Sequence, residues 1–168
     1  MPLEGQAIPW DPETMQKRRS SFAPVAAAEG LEVGERKHWY NATPAHEAAE
    51  WAVAQGAAAQ GTGDEFRRRV YRSYFVHDQN IASPDLLAEI ATSLSLDGND
   101  LRQALAEGRH RDEVVAQYDL ARRVGVTGVP TFVVNGYALV GAHPISSLQQ
   151  LIATGSQAAP SEDDESTS

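Results

Sequence analysis

Residues 125–142 read GVTGVPTFVVNGYALVGA, and this stretch contains the strongest strand signals in the chain. Thr131–Val134 is rich in β-branched and aromatic residues, which favours a strand. Asn135-Gly136 is the strongest two-residue hairpin signal, because both positions of a type I′ turn need a positive φ. Tyr137–Val140 then predicts the returning strand. The stretch therefore predicts an antiparallel hairpin over residues 131–140.

The first strand of this hairpin has a further property, because its last three residues, Phe132–Val134, are apolar in succession. A strand with one solvent-exposed face alternates apolar and polar residues, so the continuous run predicts a central strand that is buried on both faces. Such a strand needs two neighbours, and the hairpin supplies one. Weaker strand patterns at Gln6–Trp10 and Lys37–Tyr40 are the candidates for the other. The pattern predicts that a piece of the sheet is missing or is supplied from elsewhere.

The residues upstream of the hairpin predict helices. Asp11-Pro12-Glu13 combines a capping residue, a proline in the first turn and an acid, so it predicts a helix start. Pro24 predicts a break or kink near Ala23, and Gly30 predicts the end of that helix. Five more helices are expected to begin at Thr43-Pro44, Asp64, Ser83-Pro84, Asn99 and about Arg111, and a C-terminal helix is expected near Ile145–Ala153.

The composition limits the possible classes of function. The chain has 168 residues, of which 42% are apolar, and a net charge of −9. An acidic chain opposes a nucleic-acid partner, and no apolar run reaches the roughly 20 residues that span a membrane, so neither partner is expected. The N-terminal residues lack the pattern of a secretory signal, so a cytoplasmic location is expected.

The composition also limits the chemistry. The chain contains no cysteine, so it has no thiolate nucleophile, disulfide or Cys-ligated zinc of its own. The five histidines show no metal-ligand spacing and are interpreted as surface or helix-terminal residues. No metal site and no cofactor are expected.

Three stretches of the sequence resemble segments of a known family. The quoted stretch, with Pro144 after it, is similar to the end of a DsbA-like thioredoxin-fold domain, and most similar to the cytoplasmic FrnE-type branch of dithiol oxidoreductases. Two upstream stretches, Asn41–His46 and Tyr74–Ile81, resemble segments of the same branch. The resemblance covers about residues 5–153.

The resemblance implies an α/β class, namely a DsbA-like thioredoxin fold with a helical insertion. The family begins with a strand–helix–strand unit that carries Cys-x-x-Cys, and the chain is expected to be N-terminally truncated by that unit, so that it is mostly helical with a β-hairpin. The expected divisions are residues 1–43 (N-terminal segment and helix), 44–124 (helical insertion), 125–154 (thioredoxin-fold hairpin and C-terminal helix) and 155–168 (disordered acidic tail).

The resemblance also implies a substrate-binding loop, since the family's equivalent of the Val129-Pro130 peptide bond is cis. The loop would hold an extended peptide or glutathione by strand addition, and its expected residues are Thr127, Gly128, Val129, Pro130 and Thr131. Dithiol exchange proceeds by thiolate attack. The chain is therefore expected to have no catalytic residue of its own and to be inactive in dithiol exchange by itself.

Three alternatives remain open at this stage. The chain could be a non-catalytic peptide-binding or oligomerisation module, with a homodimer or a partner strand at the Thr131–Val134 edge. It could be a glutathione-dependent isomerase of the 2-hydroxychromene-2-carboxylate isomerase type, whose serine would lie in the absent region. The start codon could also be wrong, or the gene could be a remnant.

Overall fold

A computed structural model of the chain describes residues 5–55 and 61–157. The chain divides into two compact units, residues 1–117 and 118–168, and each is described by itself. Residues 155–157 were expected to begin the disordered acidic tail, but they are the last residues of the C-terminal helix. The rest of that tail, residues 158–168, lies outside the described residues.

Within the described ranges the chain forms seven helices and four short strands. In chain order they are β1 (Gln6–Ala7), α1 (Pro12–Ala28), β2 (His38–Trp39), α2 (Thr43–Ala54), α3 (Thr62–Phe75), α4 (Pro84–Ser93), α5 (Gly98–Glu107), α6 (Arg111–Arg123), β3 (Thr131–Val134), β4 (Tyr137–Val140) and α7 (Ile145–Gln157). None of these described helices is both long enough and apolar enough to cross a membrane.

Helix α1 begins as its sequence predicts. The Asp11 carboxylate accepts a hydrogen bond from the backbone N–H of Thr14, which satisfies one of the free donors of the first turn. The predicted break at Pro24 is wrong, because α1 runs through it without interruption. Pro24 and Ser20 are both exposed, so water can satisfy the Ser20 carbonyl that a proline four residues later leaves unpaired.

Two predicted helix starts are shifted by two or three residues. Gly61, rather than Asp64, caps α3, and Asp64 lies in its first turn. The carboxylate of Asp97, rather than Asn99, caps α5 and accepts hydrogen bonds from two backbone N–H groups. In both cases several polar residues lie close together, and each of them is an acceptable cap.

The core of the 1–117 unit lies between α2, α3, α4 and α5. Alanine fills much of the inner face of α2, which lets the neighbouring helices approach closely. The largest fully buried side chains are those of Phe66, Leu87, Leu101 and Val114. Glu47 is also buried, and its carboxylate is paired with the guanidinium of Arg111 at 3.2 Å, which compensates for the loss of hydration.

A polar network ties α2 to α5. The indole N–H of the buried Trp51 donates to Asp100 at 2.8 Å, and the Arg109 guanidinium donates to the other carboxylate oxygen at 2.7 Å. The hydrogen bonds from Arg109 and Trp51 hold the pKa of Asp100 below its ordinary value. Trp51 can therefore be buried without leaving its N–H unpaired.

Strands β1 and β2 pair with each other and not with the hairpin. Gln6 lies opposite Trp39, and Ala7 lies opposite His38, in a two-stranded antiparallel sheet. The Asp78 carboxylate secures β2, because it accepts hydrogen bonds from the backbone N–H groups of Lys37 and His38 and from the His38 ring at 2.7 Å. The two segments proposed as neighbours for the hairpin are thus already used elsewhere.

Candidate functional site

The candidate site belongs to the 118–168 unit and begins where α6 ends. Gly125 has a φ of 77°, a conformation that glycine adopts without steric cost, and its N–H donates to the carbonyl of Arg122. The N–H of Val126 donates to the carbonyl of Ala121 at 2.9 Å. This pattern closes the helix and directs the chain into the 126–130 loop.

The loop is held at both of its ends. The Thr131 hydroxyl donates to the carbonyl of Gly128 at 2.6 Å, which fixes the turn across the proline. The N–H of Gly141 donates to the carbonyl of Pro130 at 2.7 Å, which ties the loop to the residue after β4. The Val129-Pro130 peptide bond between these anchors is cis. Gly141 belongs to the quoted sequence motif, but no local sequence signal indicates this anchoring hydrogen bond.

Val129 lies in this anchored loop and is exposed to solvent. It is 91% exposed, more than any other exposed large hydrophobic residue among those described. Within the described residues, neither its backbone N–H nor its carbonyl takes part in a hydrogen bond. The five predicted site residues are contiguous, and among the described residues the backbone N–H and carbonyl of the central one have no hydrogen-bond partner.

The hairpin that follows has the predicted turn. Val134 lies opposite Tyr137, and the two residues between them have positive φ values of 45° for Asn135 and 84° for Gly136, as a type I′ turn requires. The Asn135 side-chain amide donates to the carbonyl of Gly155 in α7 at 3.0 Å. Helix α7 packs on both strands and supports the hairpin.

The prediction that β3 is buried on both faces is wrong for this chain. Phe132 is 38% exposed and Val133 is 45% exposed. The reason is that β3 pairs only with β4 among the described residues, so that no second neighbour covers it. The apolar run therefore lies along an open edge.

No group of three His, Cys, Asp or Glu side chains within 5–55 and 61–157 is placed to hold a metal ion. His38 lies in β2, where its ring pairs with the carboxylate of Asp78 at 2.7 Å. Its role there is to secure the strand.

The chain combines helices with a proline loop, an antiparallel hairpin and a helix packed on that hairpin, and it contains no cysteine. The family model described as a DSBA-like thioredoxin domain matches residues 11–153. The chain belongs to this family, and its fold is the DsbA-like thioredoxin fold.

Two relatives show the extent of the similarity. The uncharacterized protein YwbO of Bacillus subtilis is 28% identical over 135 residues, which are 79% of this chain and 65% of YwbO. The crystal structure of the probable DsbA oxidoreductase SCO1869 from Streptomyces coelicolor matches with a TM-score of 0.75 at 27% identity, over 90% of this chain and 64% of that one. The chain thus spans just under two thirds of the length of either relative.

Proposed function

We propose that this chain is a cysteine-free member of the DsbA-like family that holds an extended peptide at the Thr127–Thr131 loop and does not catalyse dithiol exchange by itself. The observation that carries the proposal is the exposed, unpaired backbone of Val129 between two anchored positions. We also assign the chain to the cytoplasmic FrnE-type branch, on the resemblance of Asn41–His46 and Tyr74–Ile81 to that branch.

The register of the hairpin supports peptide addition beyond the loop. The two-residue turn makes Val134–Tyr137 and Phe132–Leu139 the hydrogen-bonded pairs of the ladder. The backbone groups of Thr131 and Val133 therefore face away from β4. Together with Val129 they form a row of donors and acceptors at alternate residues, and an extended peptide pairs with such a row by strand addition.

The proposal predicts binding without catalysis. We expect the carboxamidomethylated insulin B chain to shift the ¹H–¹⁵N NMR signals of Val129, Thr131 and Val133, because its blocked thiols leave only backbone and side-chain contacts. Glutathione is titrated in parallel, since it offers the same amide groups on a shorter chain. In the insulin-reduction assay the chain should leave the rate of the dithiothreitol reaction unchanged, because it supplies no thiolate.

Two variants separate backbone pairing from side-chain contact. Val129→Ala keeps the N–H and should retain the shifts, whereas Val129→Pro removes the N–H and should weaken binding by about tenfold, the value of roughly one hydrogen bond. Unchanged amide signals of β4 and α7, which lie in the same 118–168 unit as Val129, show that each variant is folded. The proposal fails if neither probe moves the three signals, or if insulin reduction is accelerated.

A second candidate function is self-association through the same edge. We propose that β3 of one copy pairs with β3 of a second copy, because an exposed apolar strand edge is a template for pairing with another chain. The exposed Val133 supplies the apolar contact. A charged residue at this position opposes edge pairing, so Val133→Lys tests the proposal.

We expect light scattering of the full chain to show a dimer at high protein concentration and a monomer for Val133→Lys. Val115→Lys is the matched control, since Val115 is similarly exposed, at 47%, and belongs to α6 and not to the strand. A wild-type chain that stays monomeric throughout the concentration range would contradict self-association, and it would leave the peptide proposal to its own test.

A further inference from the structure

A cleft lies in the 1–117 unit, and no residue of the proline loop lines it. It lies between α1 and residues 33–37, and its volume is about 690 Å³. Pockets that bury most of a small organic ligand have volumes of roughly 300–1,000 Å³. None of its lining residues belongs to the predicted substrate-binding loop.

The cleft has apolar and aromatic walls. Trp10 lines the cleft and packs edge-on against Trp39, with their ring centroids 5.8 Å apart. Phe22 from α1 and Phe75 from the end of α3 also line it. Phe22 is 56% exposed and Phe75 is 44% exposed, so their rings remain available for contact. These walls suit a flat hydrophobic body.

The charge on the lining is opposite in sign to that of the chain. Four cationic side chains line the cleft against a single acidic one, although the chain as a whole has a net charge of −9. The cations are Arg18, Arg19, Arg36 and Lys37, and the acid is Glu35. A cleft that is lined by charges of one sign concentrates the electric field and attracts ligands of the opposite charge.

Two of these arginines lie on aromatic rings instead of on carboxylates. The Arg18 guanidinium lies 4.0 Å from the centroid of the Trp10 ring. The Arg36 guanidinium lies 5.5 Å from that of Phe75 and 5.1 Å from that of Tyr74. Neither arginine forms an ion pair within the part of the chain that the structure describes. A guanidinium over a ring face keeps N–H donors at its edge for a carboxylate.

The other two cations share one weakly held partner. Arg19 and Lys37 approach the Glu35 carboxylate at 3.5 and 3.7 Å, and that carboxylate is 65% exposed. Exposed pairs of this kind contribute little to stability, so they compete weakly with a ligand. Glu35 therefore neutralises only part of the positive charge of the cleft.

We propose that this cleft binds a small organic anion with a planar aromatic body, of the aromatic carboxylate class. The aromatic body lies against Trp10, Phe22 and Phe75, and the carboxylate accepts hydrogen bonds from Arg18 and Arg36. The aromatic rings supply the apolar contact, and the two guanidinium groups select the anion over a neutral ligand of the same shape.

Isothermal titration calorimetry of the full chain with 2-naphthoate tests this proposal. Its neutral counterpart, 2-naphthalenemethanol, has the same ring and no charge. We expect 2-naphthoate to bind about tenfold more tightly or better, the value of one charge-assisted hydrogen bond. Arg18→Gln and Arg36→Gln should each abolish most of this preference and leave binding of the alcohol nearly unchanged.

Arg68→Gln is the matched control, because Arg68 is 76% exposed on α3 and does not line the cleft. It should bind 2-naphthoate like the wild type, and far-UV circular dichroism shows that each variant is folded. Equal affinity for the acid and the alcohol would overturn the proposal, as would full binding of 2-naphthoate by a variant that carries both Arg18→Gln and Arg36→Gln. Tighter binding of the acidic peptide SEDDESTS than of 2-naphthoate would assign the cleft to a peptide and overturn it as well.

Discussion

Replacing Phe66 with alanine is expected to lower the free energy of unfolding by about 3–5 kcal/mol, the usual cost of removing a buried ring. Phe66 lies in α3, is fully buried and belongs to the core formed by α2, α3, α4 and α5. The neighbouring face of α2 is built mostly of alanine, and such short side chains cannot move in to fill the cavity. Urea unfolding, followed by far-UV circular dichroism, measures the loss.

Phe75→Ala is the matched control for this experiment, since it makes the same substitution nine residues later on the same helix. Phe75 is 44% exposed, and its loss should cost about 1 kcal/mol, because much of its ring already contacts water. Similar losses for the two variants would show that Phe66 is not at the centre of the packing, and would contradict the described core.

Local signals in the sequence predicted much of the secondary structure. Asp11 and Ser83 cap their helices through side-chain hydrogen bonds, as expected from each residue and the proline after it. Asn135-Gly136 predicted the hairpin and its register, because a type I′ turn allows few other residues. These features depend on residues that are close in the sequence. The break at Pro24 failed because solvent exposure, which is set by tertiary packing, decided the outcome.

Features that depend on tertiary contacts could not be predicted in this way. Gln6–Ala7 and His38–Trp39 were both recognised as weak strands, but their pairing depends on Asp78, some 40 residues away. The aromatic cleft was missed for the same reason. Arg36 and Phe75 approach each other only in the folded chain, and no spacing along the sequence indicates it. The Thr127–Thr131 loop was expected from a family resemblance that rests on contiguous residues, and its binding role stays a prediction.

Gly155→Val is expected to loosen the hairpin, with a cost of about 1–3 kcal/mol from overpacking. Gly155 lies in α7 directly against β3. A Cβ at this position would lie 2.5 Å from Cγ1 of Val134 and 2.9 Å from its carbonyl oxygen. Backbone atoms of a paired strand cannot shift cheaply, so α7 has to move away. Its movement also weakens the hydrogen bond that Asn135 donates to the Gly155 carbonyl.

Amide hydrogen exchange measures this effect within the 118–168 unit. Protection of the Phe132 and Val134 amides should fall by about tenfold or more, since each 1.4 kcal/mol changes the opening equilibrium tenfold. Ala153→Val places the same side chain two residues earlier, at an exposed position of α7, and should leave protection nearly unchanged. Unaltered exchange in Gly155→Val would mean that α7 does not hold the strand.

The same variant connects the packing of α7 to the proposed function. The carbonyl of Pro130 is bound by Gly141 at the end of β4, so the position of Val129 depends on the hairpin that α7 supports. In a loosened hairpin the outward-facing backbone groups of Val129, Thr131 and Val133 adopt many arrangements. Binding of an extended peptide must then order them, and this loss of entropy lowers the affinity. Gly155→Val should therefore weaken binding of the insulin B chain. Binding of 2-naphthoate, which depends on residues of the 1–117 unit, should stay unchanged.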